Sequence, residues 1–150
     1  MQHISKANDG KIAVGIHATL SGTTSAKGNI IAVDDFRGIT FAYAAGAITD
    51  AGAAGGFTIE IQESPDTADT NFAAVADASL TRLETDLTVT SDTADNEPVG
   101  MIGYLGGSPY VRAVVTGTTG TDAEVYGVWM LSTPQYSPPS SDIAASVAAT

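Results

Sequence analysis

The stretch Phe57-Thr58-Ile59-Glu60-Ile61-Gln62-Glu63 alternates apolar and polar side chains at every step up to Gln62. A strand turns successive side chains to opposite faces, so Phe57, Ile59 and Ile61 share one side while Thr58, Glu60 and Gln62 share the other. A helical stripe needs three- and four-residue steps, which this spacing lacks. The stretch therefore predicts a half-buried β-strand.

Working outward, Ile39-Thr40-Phe41-Ala42-Tyr43-Ala44 repeats the pattern, with the bulky Ile39, Phe41 and Tyr43 set against the small Thr40, Ala42 and Ala44. Tyr110-Val111-Arg112-Ala113-Val114-Val115-Thr116 reads as a third strand. Residues 123–131 read as a fourth, with Val125, Trp129 and Leu131 on one parity and Tyr126, Val128 and Met130 on the other. Apolar side chains on both faces predict a strand that is central or covered on both sides. Weaker strand patterns occupy residues 11–20, 29–33, 87–90 and 99–105. Turn-forming clusters separate them: Ser21-Gly22-Thr23-Thr24, residues 50–56, Ser64-Pro65-Asp66, Gly106-Gly107-Ser108-Pro109 and residues 116–120. The one helix expected lies over residues 71–83, where Phe72, Val75, Ala76, Leu80 and Leu83 recur at helical steps.

Such punctuation predicts an all-β chain, an antiparallel β-sandwich of jelly-roll or immunoglobulin-like type with about eight short strands and extended N- and C-terminal arms. Residues 1–26 form the first arm, with an edge strand, and residues 27–132 the sandwich. Residues 133–150 form a Pro/Ala/Ser-rich second arm that holds three of the six prolines. A chain of 150 residues needs only one core. Much of the 43% hydrophobic share is Ala, and 16 glycines add little volume, which favours thin packed sheets over thick helical layers.

Six Lys and Arg stand against seventeen Asp and Glu, a formal net charge of -11. That field repels phosphate and anionic lipid, so neither nucleic acid nor a membrane surface is an expected partner. The absence of Cys rules out disulfides and thiolate metal sites. The opening MQHISKANDGKIAVG lacks the apolar core of a signal peptide, so synthesis in the cytoplasm is expected.

Catalytic machinery is equally absent. The two histidines are His3 and His17, and His17 sits in a strand pattern on the face opposite Ile16, with no nucleophile assigned beside it. Glu60 and Glu63 are an odd number of residues apart and point to opposite faces. The acidic runs Asp66-Thr67-Ala68-Asp69 and Asp92-Thr93-Ala94-Asp95-Asn96-Glu97 miss the alternating ligand pattern of a calcium loop. Gly103-Tyr104-Leu105-Gly106-Gly107 lacks the Lys of a phosphate cradle. No enzyme activity, cofactor or metal is expected, and the work falls to contacts with other proteins. The candidate contact residues are Ile12, His17, Tyr104, Tyr110, Arg112 and Tyr136. Arg112, facing away from Val111, Ala113 and Val115, would pair with a carboxylate of its own chain or of a partner. Trp129 and Tyr126 are expected in the core.

Several pieces in order carry a family likeness: Glu60-Ile61-Gln62-Glu63-Ser64-Pro65-Asp66, then Phe72-Ala73-Ala74-Val75-Ala76-Asp77, then Ile102-Gly103-Tyr104-Leu105-Gly106, then Tyr110-Val111-Arg112. Together they resemble the small β-sandwich structural proteins of tailed phages, the capsid decoration or cement proteins, over about residues 38–132. Ser108-Pro109 stand where such proteins carry basic residues. The resemblance implies a virion protein on the capsid exterior that binds the major capsid protein and itself, as a homotrimer, and ties neighbouring subunits together. The alternatives it leaves are another particle component (head completion, tail tube or fibre) and a carbohydrate- or receptor-binding sandwich.

Overall fold

Strand β6 (Phe57–Ser64) pairs antiparallel with β9 (Tyr110–Gly117), setting Ile59 opposite Val115 and Ile61 opposite Ala113. The computed structural model describes residues 10–50, 56–89, 99–118 and 121–134. Within them β2 (Ser25–Lys27) and β3 (Ile31–Ala32) border β9, and β7 (Ala73–Ala74) borders β6. The second sheet runs β1 (Gly10–Ser21), β10 (Thr121–Pro134), β4 (Phe36–Ala45), β8 (Val99–Tyr104), with β5 (Thr49–Asp50) also on β10. Every pairing is antiparallel.

The strand orders β1-β10-β4-β8 and β2-β9-β6-β7 decide between the two expected sandwiches. Among the described residues, β6 and β7 are the only successive strands that pair as neighbours. Apart from β2 to β3 and β4 to β5, every remaining step crosses from one sheet to the other, and the first and last strands lie side by side, β1 at the sheet edge and β10 next to it. With the short β3 and β5 set aside, that is the eight-strand winding of a jelly roll.

The inner faces meet in one core. Phe41 and Trp129 pack at 5.1 Å between ring centroids, tilted by 50°, and Tyr43 meets Phe57 edge-on at 5.7 Å. The Tyr43 hydroxyl donates to the Leu87 carbonyl at 3.1 Å, and burial raises its pKa. Two glycines make room for the Phe41–Trp129 pair. A Cβ on Gly15 would come within 2.9 Å of Trp129 Cδ1, and one on Gly127 would crowd the Phe41 ring and come within 2.8 Å of Ile16 Cγ2.

Gly15 is also the bulge of β1, where the register slips between Val14 and Ile16. A bulge inserts one residue and reverses the side-chain alternation beyond it. Ile16, Ala18 and Leu20 consequently enter the core while Ile12 and Val14 turn outward. The carbonyls freed there are satisfied by Asn29, whose Nδ2 donates to Val14 O at 3.0 Å and whose backbone N–H donates to Gly15 O at 2.6 Å.

Two expectations fail. Residues 71–83 are not a helix but a strap of 3₁₀ turns (Asp69–Asn71, Asp77–Ser79) around β7. The physical reason is that its apolar residues anchor in different places: Phe72 against Arg112, Val75 through its N–H on Ile61 O, and Leu80 in a bridge to Tyr104. A helix would align them on one stripe and leave the sheet edges unpaired. Residues 87–89 likewise give a 3₁₀ turn (Glu84–Leu87) and a single bridge from Val89 to Phe57 rather than a strand. β1 lies at the edge of its sheet. Residues 1–9 of the first arm and 135–150 of the second lie outside the described residues.

Replacing Gly127 with Ala is expected to cost about 1–3 kcal/mol by overpacking the Phe41 ring, read as a lower urea midpoint at unchanged m-value.

Candidate protein-binding face

The two sheets differ on their outer faces. On the β1-β10-β4-β8 sheet the register builds three rows across all four strands: Ile12, Met130, Thr40, Gly103; then Val14, Val128, Ala42, Met101; then His17, Tyr126, Ala44, Val99. An outer face bounded by water normally alternates to polar side chains. Here Ile12 is 74% exposed, Val99 73%, Val14 61%, Met101 53% and Tyr126 47%. These five alone expose on the order of 600 Å², at the top of the range for the largest patch on a monomer. None of the twelve positions holds Asp, Glu, Lys or Arg.

The face has relief. Thr40, Ala42 and Ala44 form a trough along β4, bordered by Met130, Val128 and Tyr126 on β10 and by Met101 and Val99 on β8. At one end a polar rim closes it: His17 stacks on Tyr126 at 4.4 Å and 16°, and His17 Nε2 lies 3.0 Å from Glu124 Oε1. The Tyr126 hydroxyl, then His17, hold the Glu124 carboxyl below its ordinary pKa, and the same carboxylate pushes the Tyr126 hydroxyl up.

The other outer face is polar and strapped. Arg112, only 4% exposed, donates from Nε to Gln62 Oε1 at 2.7 Å and from Nη1 to Asp69, and its guanidinium sits 4.2 Å over the Phe72 ring. Lys27 Nζ donates to the same Asp69 at 2.7 Å. Those hydrogen bonds, from Lys27 first and Arg112 second, hold the Asp69 carboxyl below the ordinary aspartate pKa.

The sequence candidates therefore separate. Ile12 and His17 come together on the apolar face and its rim. Tyr104 is buried, its hydroxyl donating to Glu63 and accepting from Ser108 N at 2.9 Å; burial, then Glu63, raises its pKa to about 12. Tyr110 is half-buried at the start of β9, opposite Ser64. Arg112 pairs inside its own chain, so the expected partner-facing alternative does not apply. Tyr136 and the acidic run at residues 92–97 lie outside the described residues. The segments that carry the family likeness thus clamp one another, through Glu63 with Tyr104, Gln62 with Arg112 and Ser64 with Tyr110.

Tyr126, expected in the core, stands on the face instead. The expectation that β10 is central holds, but Tyr126 leaves its outer side uncovered there. Sequence reasoning missed Val14, Val99, Met101, Val128 and Met130 as residues of this outer face. The signal was present in β10, where Tyr126, Val128 and Met130 oppose Trp129, and was read as burial.

Among the described residues no group of three or more His, Cys, Asp or Glu could hold a metal ion, and no helix is long and apolar enough to cross a membrane.

No family model matches the sequence, and no curated protein matches it. Among solved structures it is similar to the K1 cleaved adhesin domain of Lys-gingipain from Porphyromonas gingivalis W83, at 12% identity and TM-score 0.43, covering 75% of this chain and 65% of that one. A disulfide-linked pilus of Bacillus endospore appendages follows at 15% identity and TM-score 0.39, covering 89% and 97%. A point mutant of a family 29 carbohydrate-binding module gives 10% identity and TM-score 0.36, covering 87% and 99%. Values this low leave function to the chain's own surfaces.

Two measurements check the clamp. Asp69 stabilises the fold above its depressed pKa and ceases to as pH falls through it, so wild type should melt higher than Asp69→Asn at pH 7, with the gap closing at strongly acidic pH. Spectrophotometric titration should show one tyrosine ionising near pH 12 that is missing from Tyr104→Phe.

Proposed function

We propose that this chain is a structural protein of a tailed-phage particle, a decoration protein on the capsid exterior that works by burying surface against other proteins and not by catalysis. The observation that carries the reading is the apolar outer face of the β1-β10-β4-β8 sheet, four strands wide and without a formal charge across its three rows. A surface of that size is costly to leave in water and belongs to a chain completed by assembly. The acidic remainder keeps such a chain away from DNA, as a component outside the shell requires.

The likeness of residues 60–66, 102–106 and 110–112 to decoration proteins supports the phage setting, and the major capsid protein is the proposed partner on the particle. A carbohydrate-binding reading would want an open aromatic platform. Among the described residues Tyr126 is the one large exposed aromatic, and its ring is already stacked on His17.

Electron microscopy of purified particles tests the proposal: density for this chain distributed over the outer capsid supports it, whereas density in the tail or at a single vertex overturns it. Val14→Lys, on the exposed face, is expected to fold with an unchanged melting temperature to within about 2 °C. Its occupancy on particles should fall, read by quantitative gel densitometry.

A further inference from the structure

We infer that residues 143–150 of this chain lie along its own outer face, in the Thr40, Ala42 and Ala44 trough of β4, with Ile143 and Val147 turned down into it. This builds on that face being a docking surface and names the occupant of its trough.

Connectivity favours this seat. β10 runs from the His17 end of the face to the Met130 end, and residues 135–150, which lie outside the described residues, follow directly from it. At that end the next row holds only Gly10, Ser132 and Gly38, so the trough has an open mouth there. Tyr126, His17 and Glu124 close the far end. Among the described residues Thr133, with a φ of 52°, is the one non-glycine residue in the left-handed region. A β-branched residue held in that conformation breaks the extended line of β10 where the chain leaves the sheet.

The chain has the reach. The Met130 row lies four residues back along β10 from Pro134 and the Tyr126 row four further, steps of about 13 Å each. Residues 135–142 extend to about 26 Å, enough to turn at Pro138-Pro139 and bring Ile143 over the first row. Residues 143–150 cover about 12 Å along a helical path and more along an extended one, so the three rows are spanned either way. Ile143 and Val147, four positions apart, share one side of the segment on both paths.

Chemistry matches as well. Beyond Pro134 the one charge is Asp142, and residues 143–150 are Ala apart from Ile143, Ser146, Val147 and Thr150. In a chain of net charge -11 this uncharged segment meets twelve face positions that also lack a charge. Small side chains let it sit low between the Met130 and Val128 ridge and the Met101 and Val99 ridge. Ile12 and Val14, beyond β10 on the edge strand, lie outside the trough and stay open to the particle. The tether decides for the chain's own segment. A short link starting at the mouth holds it at an effective concentration on the order of millimolar, which any competing occupant has to exceed.

Because the chain contains no cysteine, a placed pair reads the seat directly. Ala42→Cys with Val147→Cys, treated with a short bismaleimide in dilute solution, is expected to give a monomer-sized product in which mass spectrometry finds residues 42 and 147 linked. Thr58→Cys with Val147→Cys, which places the first cysteine on the other outer face, should give several-fold less. In the cysteine-free chain, Ile143→Asp with Val147→Asp should raise the fluorescence of bound anilinonaphthalene sulfonate about twofold or more, at unchanged circular dichroism. Ser140→Asp, in the link, should leave it unchanged.

A dimer-sized product in place of the monomer-sized one, equal cross-linking from Thr58→Cys, or dye fluorescence indifferent to the two aspartates overturns the seat. Particle occupancy of Val14→Lys separates the two levels of the reading. If the cross-link fails while Val14→Lys loses its place on particles, the docking face stands and its trough belongs to another occupant. If the cross-link forms while Val14→Lys binds as wild type does, the segment fills the trough and the docking reading fails.

Discussion

The packing of Phe41 against Trp129 is the contact on which the rest of the molecule depends. The two rings are fully buried in the core, and they leave no space for a Cβ at Gly15 or Gly127. Gly15 is where β1 bulges, so the bulge and the aromatic pair occupy the same space. From the bulge follows the reversal of β1, which delivers Ile16, Ala18 and Leu20 to the core and throws Ile12 and Val14 onto the outer surface. One packing event at the centre thus helps to make the apolar face at the periphery.

The two outer faces solve the problem of a thin sandwich in different ways. On the β2-β9-β6-β7 side the chain covers itself: the strap around residues 69–80 lays Asp69 and Phe72 over Arg112, and the cation is desolvated with its hydrogen bonds satisfied. On the β1-β10-β4-β8 side nothing equivalent covers Val14, Val99 or Met101 among the described residues. The chain thus straps one outer face with its own residues and leaves the other apolar and exposed.

The clamp joins stretches that are far apart in the sequence. Glu63, Tyr104, Gln62 and Arg112 come from separate stretches, and each meets another of the set inside the fold. Their order and spacing bring β6, β8 and β9 together in the jelly-roll packing. The apolar outer face is made by residues with no motif at all, mostly small and aliphatic side chains at every second position of four strands.

The sequence by itself determined the strands and the inner faces. Alternation at 57–63 and 39–44 placed Phe57, Ile59, Ile61, Ile39, Phe41 and Tyr43 correctly, because the period of a strand is two whatever it packs against. It also put His17 opposite Ile16. Tertiary structure alone decided the rest. Straight alternation would set Ile12, Val14 and Ile16 on one face, and only the crowding of Gly15 by Trp129 shows that they part. Helical spacing at 71–83 lost to anchors on three different neighbours, which no local window contains. Apolar parity in β10 signalled two contacts, but whether the second is the chain's own core or another surface depends on what lies across from Tyr126 and Val128, a question of three-dimensional layering that a linear pattern does not encode.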